Sequence, residues 1–117
     1  MINILCFGDS NTWGYDPETQ TRFSKKIRWT GVLQQLLGTN FNVIEEGLNG
    51  RTTNVNEKEE HDLGYFRPCR SAMDLLSILI ETNSPLDLII VMLGTNDLKT
   101  NFNQSSDMIA KNMRLVC

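Results

Sequence analysis

The sequence has no cluster of basic residues and no long hydrophobic run. Its 11 lysines and arginines are spread over 117 residues, and with 14 acidic residues they give a net charge of -3. Nucleic acids and anionic membranes are bound by concentrated basic faces, so we expect neither as a partner. A membrane-spanning helix needs about 20 consecutive apolar residues, which no segment supplies. These absences favour a globular domain that acts on a small neutral molecule.

Cysteine and histidine are also scarce. Cys6, Cys69 and Cys117 are odd in number and widely spaced, which favours reduced thiols over a disulfide framework. The N-terminal segment has neither the basic flank nor the cleavage site of a secretory signal, and we therefore expect a cytoplasmic protein. No histidine, cysteine or carboxylate grouping has metal-ligand spacing, and no glycine-rich loop has a nucleotide-binding pattern, so the sequence predicts no cofactor.

What the sequence does contain is an alternation of strand and helix patterns, which is typical of a parallel sheet covered by helices. Apolar runs predict three strands, at residues 2–7, 41–46 and 86–93. Helices are predicted at 29–37, from Pro68 to Asn83, and from a cap at Ser105 or Ser106 to the end. Residues 54–65 are predicted to form a loop. The side chains expected to face the sheet are Val32, Leu33, Leu36, Leu37, Met73, Leu75, Leu76, Leu79 and Ile80. The fold class is therefore α/β, in one domain.

The third predicted strand raises the question of what pairs with it. Residues 86–93 are apolar at almost every position, which is expected of a strand that helices cover on both faces, usually in the middle of a sheet. After this strand the sequence offers only a helix, so one sheet edge stays open and hydrophobic. We therefore expect the chain to be a fragment of a longer protein or to be completed by another chain.

Small polar residues follow each predicted strand. The first strand leads into Phe7-Gly8-Asp9-Ser10-Asn11, the second into Gly47-Leu48-Asn49-Gly50-Arg51-Thr52-Thr53, and the third into Gly94-Thr95-Asn96-Asp97. Ligands of open parallel sheets gather beyond the carboxyl ends of the strands, where the strand order reverses. With the strand order 2-1-3, Ser10 stands between the turn of Gly50 and the turn of Asn96.

These groups match the needs of acyl transfer, in which a hydroxyl attacks a carbonyl and hydrogen-bond donors face the developing oxyanion. Ser10 is the candidate nucleophile. The candidate donors are the backbone N–H groups of Ser10 and Gly50 and the side-chain amide of Asn96. Gly50 suits this role because a residue without a side chain lets its amide approach a ligand closely. The plainer interpretation of Ser10, taken alone, is a turn or helix-cap serine.

The three polar segments resemble, in order, the sequence blocks of the GDSL or SGNH hydrolase superfamily, in its arylesterase-like and acyltransferase-like branch. Further similarity lies at Thr12-Trp13-Gly14-Tyr15, Arg28-Trp29, 43–47 and 86–89. The resemblance implies a three-layer α/β/α, flavodoxin-like fold and a serine esterase that cleaves small acyl or aryl esters. It implies Ser10 as nucleophile and Gly50 and Asn96 as oxyanion donors. Transfer of the acyl group to a second alcohol and assembly into a homo-oligomer are also implied.

The sequence departs from the family pattern in one respect. The Asp-x-x-His block that supplies the catalytic base and its orienting carboxylate has no counterpart, and His61, the single histidine, has neither the spacing nor the position. Loss of a triad member leaves only about 10³- to 10⁴-fold catalysis over water. We therefore expect the chain alone to be nearly inactive, to be the N-terminal part of one hydrolase domain, and to have its Asp and His beyond Cys117.

Several residues admit more than one interpretation. Asp9 is expected to brace the turn, and Asp97 is expected to cap the segment after it. Trp13 and Tyr15 either form walls of the substrate pocket or pin their loop to the core. Arg51 is expected to pair with Glu45, Glu46 or a carboxylate of another subunit, and Cys6 to be a buried apolar residue.

Other classes of function stay open on the same scaffold. A non-catalytic module would bind an ester or glycan without turnover, and an association module would recruit another chain through residues 86–93.

Overall fold

The computed structural model describes residues 1–56 and 68–117. Its elements, in chain order, are β1 Ile2–Gly8, α1 Ser10–Trp13, β2 Tyr15–Asp16, β3 Thr21–Arg22, α2 Trp29–Leu37, β4 Phe41–Gly47, α3 Ala72–Asn83, β5 Leu88–Met92 and α4 Ser106–Val116. Two short 3-10 turns, Asn96–Leu98 and Thr100–Phe102, lie between β5 and α4. Most of the predicted loop at 54–65, including His61, lies outside the described residues. The predicted alternation of strands and helices is confirmed.

The main sheet has the strand order β4-β1-β5, and all of its described pairings are parallel. This is the predicted order 2-1-3, with β1 in the middle. In the register of the sheet, Gly8 at the end of β1 stands opposite Gly47 of β4 and Met92 of β5. The carboxyl ends of the three strands therefore lie at one edge of the sheet, where the polar segments begin.

Alternate residues of β1 point to opposite faces of the sheet, as the pleat of a strand requires. Leu5 and Phe7 are buried against Ala72 and Leu76 of α3. On the other face Ile4 and Cys6 are buried with Val43, and the partly buried Trp29, Leu33 and Leu37 of α2 pack against them. Helices cover both faces of the sheet, which gives the three layers implied by the family resemblance.

The strand β5 does not occupy the middle of the described sheet. Within residues 1–56 and 68–117 it pairs with β1 alone, and it spans Leu88–Met92 rather than 86–93. Leu88 is 49% exposed and Met92 40% exposed, so its ends are not covered. This is the edge position that the order 2-1-3 predicts, and the expected open, apolar edge is observed. The second neighbour expected of a middle strand is not among the described residues.

The helix α3 begins later than the sequence predicts. The backbone N–H of Thr52 donates to the carbonyl of Arg70 (3.1 Å), and the N–H of Ala72 donates to the carbonyl of Thr52 (2.9 Å). These strand-like bonds keep residues 70 and 71 extended, so the helix starts at Ala72 and not at Pro68. Two residues predicted to face the sheet do not do so, since Met73 is exposed and Leu36 of α2 is 80% exposed.

Two local features, the cap of α4 and a short hairpin after α1, compare differently with the sequence predictions. The cap of α4 is confirmed, because the Ser105 hydroxyl accepts a hydrogen bond from the Met108 N–H (3.2 Å). The hairpin of β2 and β3 was not predicted, and it is closed by Asp16, whose carboxylate accepts hydrogen bonds from the Glu18 N–H (3.0 Å) and the Thr19 hydroxyl (2.7 Å).

In the described residues no helix is both long and apolar enough to cross a bilayer.

Candidate active site

Ser10 is the first residue of the short helix α1, which begins directly after β1. The buried carboxylate of Asp9 caps this helix by accepting a hydrogen bond from the Asn11 N–H (2.9 Å). Gly14 ends the helix in the left-handed region, at φ 91°, and its N–H donates to the Ser10 carbonyl (2.9 Å). Ser10 itself is half-buried. The predicted bracing role of Asp9 is therefore observed, and it fixes the backbone that carries the hydroxyl.

Close packing holds α1 against the carboxyl end of the sheet. A Cβ atom at Gly8 would lie 2.1 Å from the Thr12 hydroxyl oxygen and 2.9 Å from the Met92 carbonyl oxygen. A Cβ atom at Gly47 would lie 2.2 Å from the backbone nitrogen of Trp13. Any side chain at these positions would displace the helix, because real Cβ atoms do not approach other atoms so closely. The two glycines thus set the position of Ser10 relative to β4 and β5.

Gly50 lies in a tight turn after β4. The turn is closed by a hydrogen bond from the Arg51 N–H to the Leu48 carbonyl (3.1 Å), and Gly50, its third residue, has a φ of 80°. A positive φ at this position favours glycine. The N–H of Leu48 donates to the Gly8 carbonyl (3.1 Å), which joins this turn to the end of β1, two residues before Ser10.

Asn96 approaches the same turn from the other side. Its side-chain nitrogen Nδ2 donates to the Arg51 carbonyl (3.0 Å). An amide nitrogen carries two hydrogens, so this bond leaves a second donor on Asn96. The segments predicted to carry Ser10, Gly50 and Asn96 are therefore linked by direct hydrogen bonds at one edge of the sheet.

Asp97 does not cap the segment that follows it, which corrects the sequence prediction. Its buried carboxylate accepts hydrogen bonds from the Thr53 N–H (3.1 and 3.2 Å) and from the Thr53 hydroxyl (2.5 Å). Thr53 lies 44 residues earlier in the chain. The backbone N–H and the hydroxyl of Thr53 together satisfy both carboxylate oxygens of Asp97, which is the physical reason for this pairing. The pairing forms a second link between the segments of Gly50 and Asn96.

Neither carboxylate suggested as a partner of Arg51 accepts a hydrogen bond from it in the described residues. Glu45 binds the Arg28 guanidinium instead, at 2.8 and 2.9 Å. The hydrogen bonds from Arg28 lower the pKa of Glu45 to about 2. Arg51 binds the backbone carbonyl of Glu46 (2.5 Å) rather than its side chain.

The thiol of Cys6 is not suited to act as a nucleophile. It is fully buried in the middle of β1, and burial, followed by the charge of Glu45, raises its pKa to about 11. The thiol therefore stays protonated at neutral pH, and the reactive form of cysteine is the thiolate. This agrees with the expectation of a buried apolar residue.

Trp13 and Tyr15 stand beside Ser10 in different environments. Arg22 donates from Nε to the Trp13 carbonyl (2.6 Å), and its guanidinium carbon lies 4.9 Å from the centre of the Trp13 ring. Trp13 is thus tied to the β2–β3 hairpin, a contact that neither of the two predicted roles includes. Tyr15 is 38% exposed in β2. A role for either ring in a substrate pocket stays a prediction.

Sequence reasoning missed Arg70 as a support of the site. This mostly buried side chain donates from Nε to the Asn49 carbonyl (2.9 Å), next to Gly50. No local signal marks it, because it stands in a segment whose sequence predicted a helix and its partner is 21 residues away. Among residues 1–56 and 68–117, no group of three or more histidine, cysteine or carboxylate side chains is placed to hold a metal ion.

Comparison with known proteins agrees with the geometry. The family described as GDSL-like Lipase/Acylhydrolase matches residues 6–115. The chain is similar to the aryl esterase of M. smegmatis, with 43% identity and a TM-score of 0.87 over 99% of this chain and 53% of that one. It is also similar to a carbohydrate acetylesterase family member from Sinorhizobium meliloti, with 38% identity and a TM-score of 0.88 over 99% of this chain and 52% of that one. The chain therefore spans about half the length of both structures. No match was found among curated proteins.

Proposed function

The chain belongs to the GDSL-like lipase/acylhydrolase family, and we propose that it carries the nucleophile and oxyanion hole of a serine esterase that cleaves small acyl or aryl esters. The carboxylic ester hydrolase class is supported by its similarity to an aryl esterase and an acetylesterase. The observation that carries the proposal is the position of the Gly50 turn, which is hydrogen bonded to Gly8 on one side and to Asn96 on the other.

In the proposed mechanism the Ser10 hydroxyl oxygen attacks the carbonyl carbon of the ester while a base removes its proton. The carbonyl oxygen becomes an oxyanion, and the N–H groups of Ser10 and Gly50 and the free N–H of Asn96 donate hydrogen bonds to it. Collapse of this intermediate releases the alcohol, which takes the proton, and leaves an acyl group on Ser10. Water, or a second alcohol, then attacks the acyl-enzyme and restores the serine.

The single histidine of the sequence, His61, has neither the position nor the spacing of the family's catalytic base. We propose that a histidine and an aspartate outside these 117 residues supply it, as the family resemblance implies. The partial length match to the esterase structures leaves room for such residues. Measurements of activity therefore use the complete gene product that contains this chain.

The experiment that tests the proposal is hydrolysis of p-nitrophenyl acetate by the wild type and by Ser10→Ala. We expect kcat/KM to fall by more than about 10³-fold, because the nucleophile is lost and only binding and the oxyanion hole remain. Ser77→Ala is the matched control, since it removes an exposed serine hydroxyl from α3. Equal rates for Ser10→Ala and the wild type would reject Ser10 as the nucleophile.

Covalent labelling separates an esterase from a non-catalytic binding module. A fluorophosphonate should add to Ser10 in the wild type and should not add to Ser10→Ala, with the adduct located by peptide mass spectrometry. A wild-type protein that binds the ester but is never labelled would support the binding module instead.

A further inference from the structure

Arg51 is deeply buried, and no carboxylate of residues 1–56 and 68–117 accepts a hydrogen bond from it. Its side chain is only 3% exposed, and in the described part of the chain its guanidinium forms no ion pair. Burial lowers its pKa to about 10, so the group still carries a positive charge at neutral pH. The charges of Glu46 and Asp9 partly offset this lowering of the pKa, but neither carboxylate forms an ion pair with the guanidinium in the described residues. Burying a charge without a direct ionic partner is costly, because water no longer solvates it. Filling space in the core does not explain a buried charge at this position, since an apolar side chain would fill it at lower cost.

The contacts of Arg51 reach all three segments of the candidate site. Its Nη1 donates to the Gly8 carbonyl (3.2 Å) at the end of β1 and to the Glu46 carbonyl (2.5 Å) at the end of β4. Its own backbone carbonyl accepts the hydrogen bond from Asn96 (3.0 Å). Its guanidinium carbon lies 3.9 Å from the centre of the buried Phe7 ring. One residue therefore touches the strand that leads to Ser10, the turn of Gly50 and the side chain of Asn96.

This arrangement has a chemical consequence for the site. The two carbonyls that receive Nη1 belong to adjacent parallel strands, so the cation holds the ends of β1 and β4 at a fixed separation. The backbone of Arg51 follows Gly50 directly, so a shift of the guanidinium also shifts the Gly50 amide and the acceptor of Asn96. An oxyanion hole depends on donors that are fixed before the reaction begins.

We propose that Arg51 is a positioning residue, which sets the distance of the Gly50 and Asn96 donors from Ser10. This inference rests on the proposed esterase function. Arg51 does not touch the substrate in this account, and it acts through the carbonyls of Gly8 and Glu46. The interaction should matter more in the transition state than in substrate binding, because only the oxyanion requires all donors together.

The test compares Arg51→Met and Arg51→Lys with the wild type in the complete gene product. Arg51→Met keeps the aliphatic length but removes the donors and the charge, and we expect kcat per folded enzyme to fall by about 10²-fold, the scale of a displaced catalytic group. Lysine retains a charged donor for the two carbonyls, so Arg51→Lys should recover part of the loss. KM should change by less than about threefold in both variants, since substrate binding is not removed.

A second measurement distinguishes positioning from a merely structural role. A boronic acid forms a tetrahedral adduct with a nucleophilic serine and resembles the oxyanion intermediate, and its inhibition constant should rise by the same factor as kcat/KM falls. The matched control is Arg28→Met, which removes another largely buried guanidinium, one that donates to Glu45 and to the Phe23 carbonyl rather than to the carbonyls of Gly8 and Glu46. This control should lower the melting temperature and leave kcat per folded enzyme unchanged.

The outcomes are distinct. If Arg51→Met folds and keeps kcat and the boronate constant of the wild type while Ser10→Ala is inactive, the positioning role is wrong and the esterase function stands. If Ser10→Ala keeps full activity, the proposed function itself fails. If Arg51→Met does not fold, Arg51→Lys decides, since unchanged kcat and boronate inhibition in that variant would overturn the proposal.

Discussion

At the residue scale, the position of Ser10 depends on buried neighbours that anchor the backbone around it. Asp9 fixes the turn beneath it, and Asp97 and Thr53 join two other turns by three hydrogen-bond contacts. That the segments of Ser10, Gly50 and Asn96 meet at one edge of the sheet was predictable, because each follows an apolar strand in a short polar segment. The partners of Asp97 and Arg51 were not, because the contacts join residues 43 and 44 positions apart and no local pattern encodes such a pair.

Asn96 provides the residue-scale prediction. Asn96→Ala removes the amide that is proposed to face the oxyanion, and we expect kcat to fall by about 10²- to 10³-fold, as for loss of one oxyanion-hole donor. KM should stay within about threefold of the wild type. The measurement is steady-state hydrolysis of p-nitrophenyl acetate, with Asn101→Ala, an exposed asparagine of the second 3-10 turn, as the control. A rise in KM at unchanged kcat would assign Asn96 to substrate binding instead.

At the element scale, strand and helix identities followed from apolar patterns, whereas some of their limits and faces did not. The helix α2 was predicted with its observed limits, but Leu36 turns away from the sheet. The start of α3 was misplaced because Thr52 draws residues 70–72 into strand-like hydrogen bonds. A bridge between distant segments overrides the local preference for a helix, and such a contact has no signature in the segment itself.

The junction between β4 and the segment before α2 gives the element-scale prediction. Glu45 in β4 accepts hydrogen bonds from Arg28 and from the Thr30 hydroxyl, and its pKa falls from an ordinary 4.5 to about 2, chiefly because of Arg28. A carboxyl whose pKa is lowered by folding stabilises the fold above its unfolded pKa, and the contribution disappears as the pH falls through the folded value. We therefore expect Glu45→Gln to lower the free energy of unfolding at pH 7 by up to about 3 kcal/mol.

Urea unfolding at several pH values checks this prediction. The difference between the wild type and Glu45→Gln should be full above about pH 5 and should shrink as the pH falls from there toward 2. Glu81→Gln serves as the control for removal of one exposed carboxylate. A difference between the wild type and Glu45→Gln that stays constant from pH 7 to pH 3 would show that ionisation of Glu45 does not contribute.

At the scale of the whole molecule, the sheet order was predictable because the three polar segments had to meet for the chemistry to work. The parallel order β4-β1-β5 satisfies this requirement, with β1 between the other two strands. The same order places β5 at an edge of the described sheet. The apolar pattern of β5 alone could not show this, because an apolar strand has the same sequence whether its second edge is paired or open. The chain covers about half of the two esterase structures to which it is similar.

The central claim is that the backbone N–H groups of Ser10 and Gly50 and the side-chain amide of Asn96 form one oxyanion hole. This oxyanion hole would bind the intermediate that forms when Ser10 attacks the ester. The most direct test of this claim is a crystal structure of the complete gene product after reaction with a phosphonate ester. We predict a covalent bond from the Ser10 hydroxyl oxygen to phosphorus. The phosphoryl oxygen should lie about 2.7–3.1 Å from the backbone nitrogens of Ser10 and Gly50 and from Nδ2 of Asn96. A phosphorus atom on another residue, or a phosphoryl oxygen directed away from Gly50 and Asn96, would contradict the account.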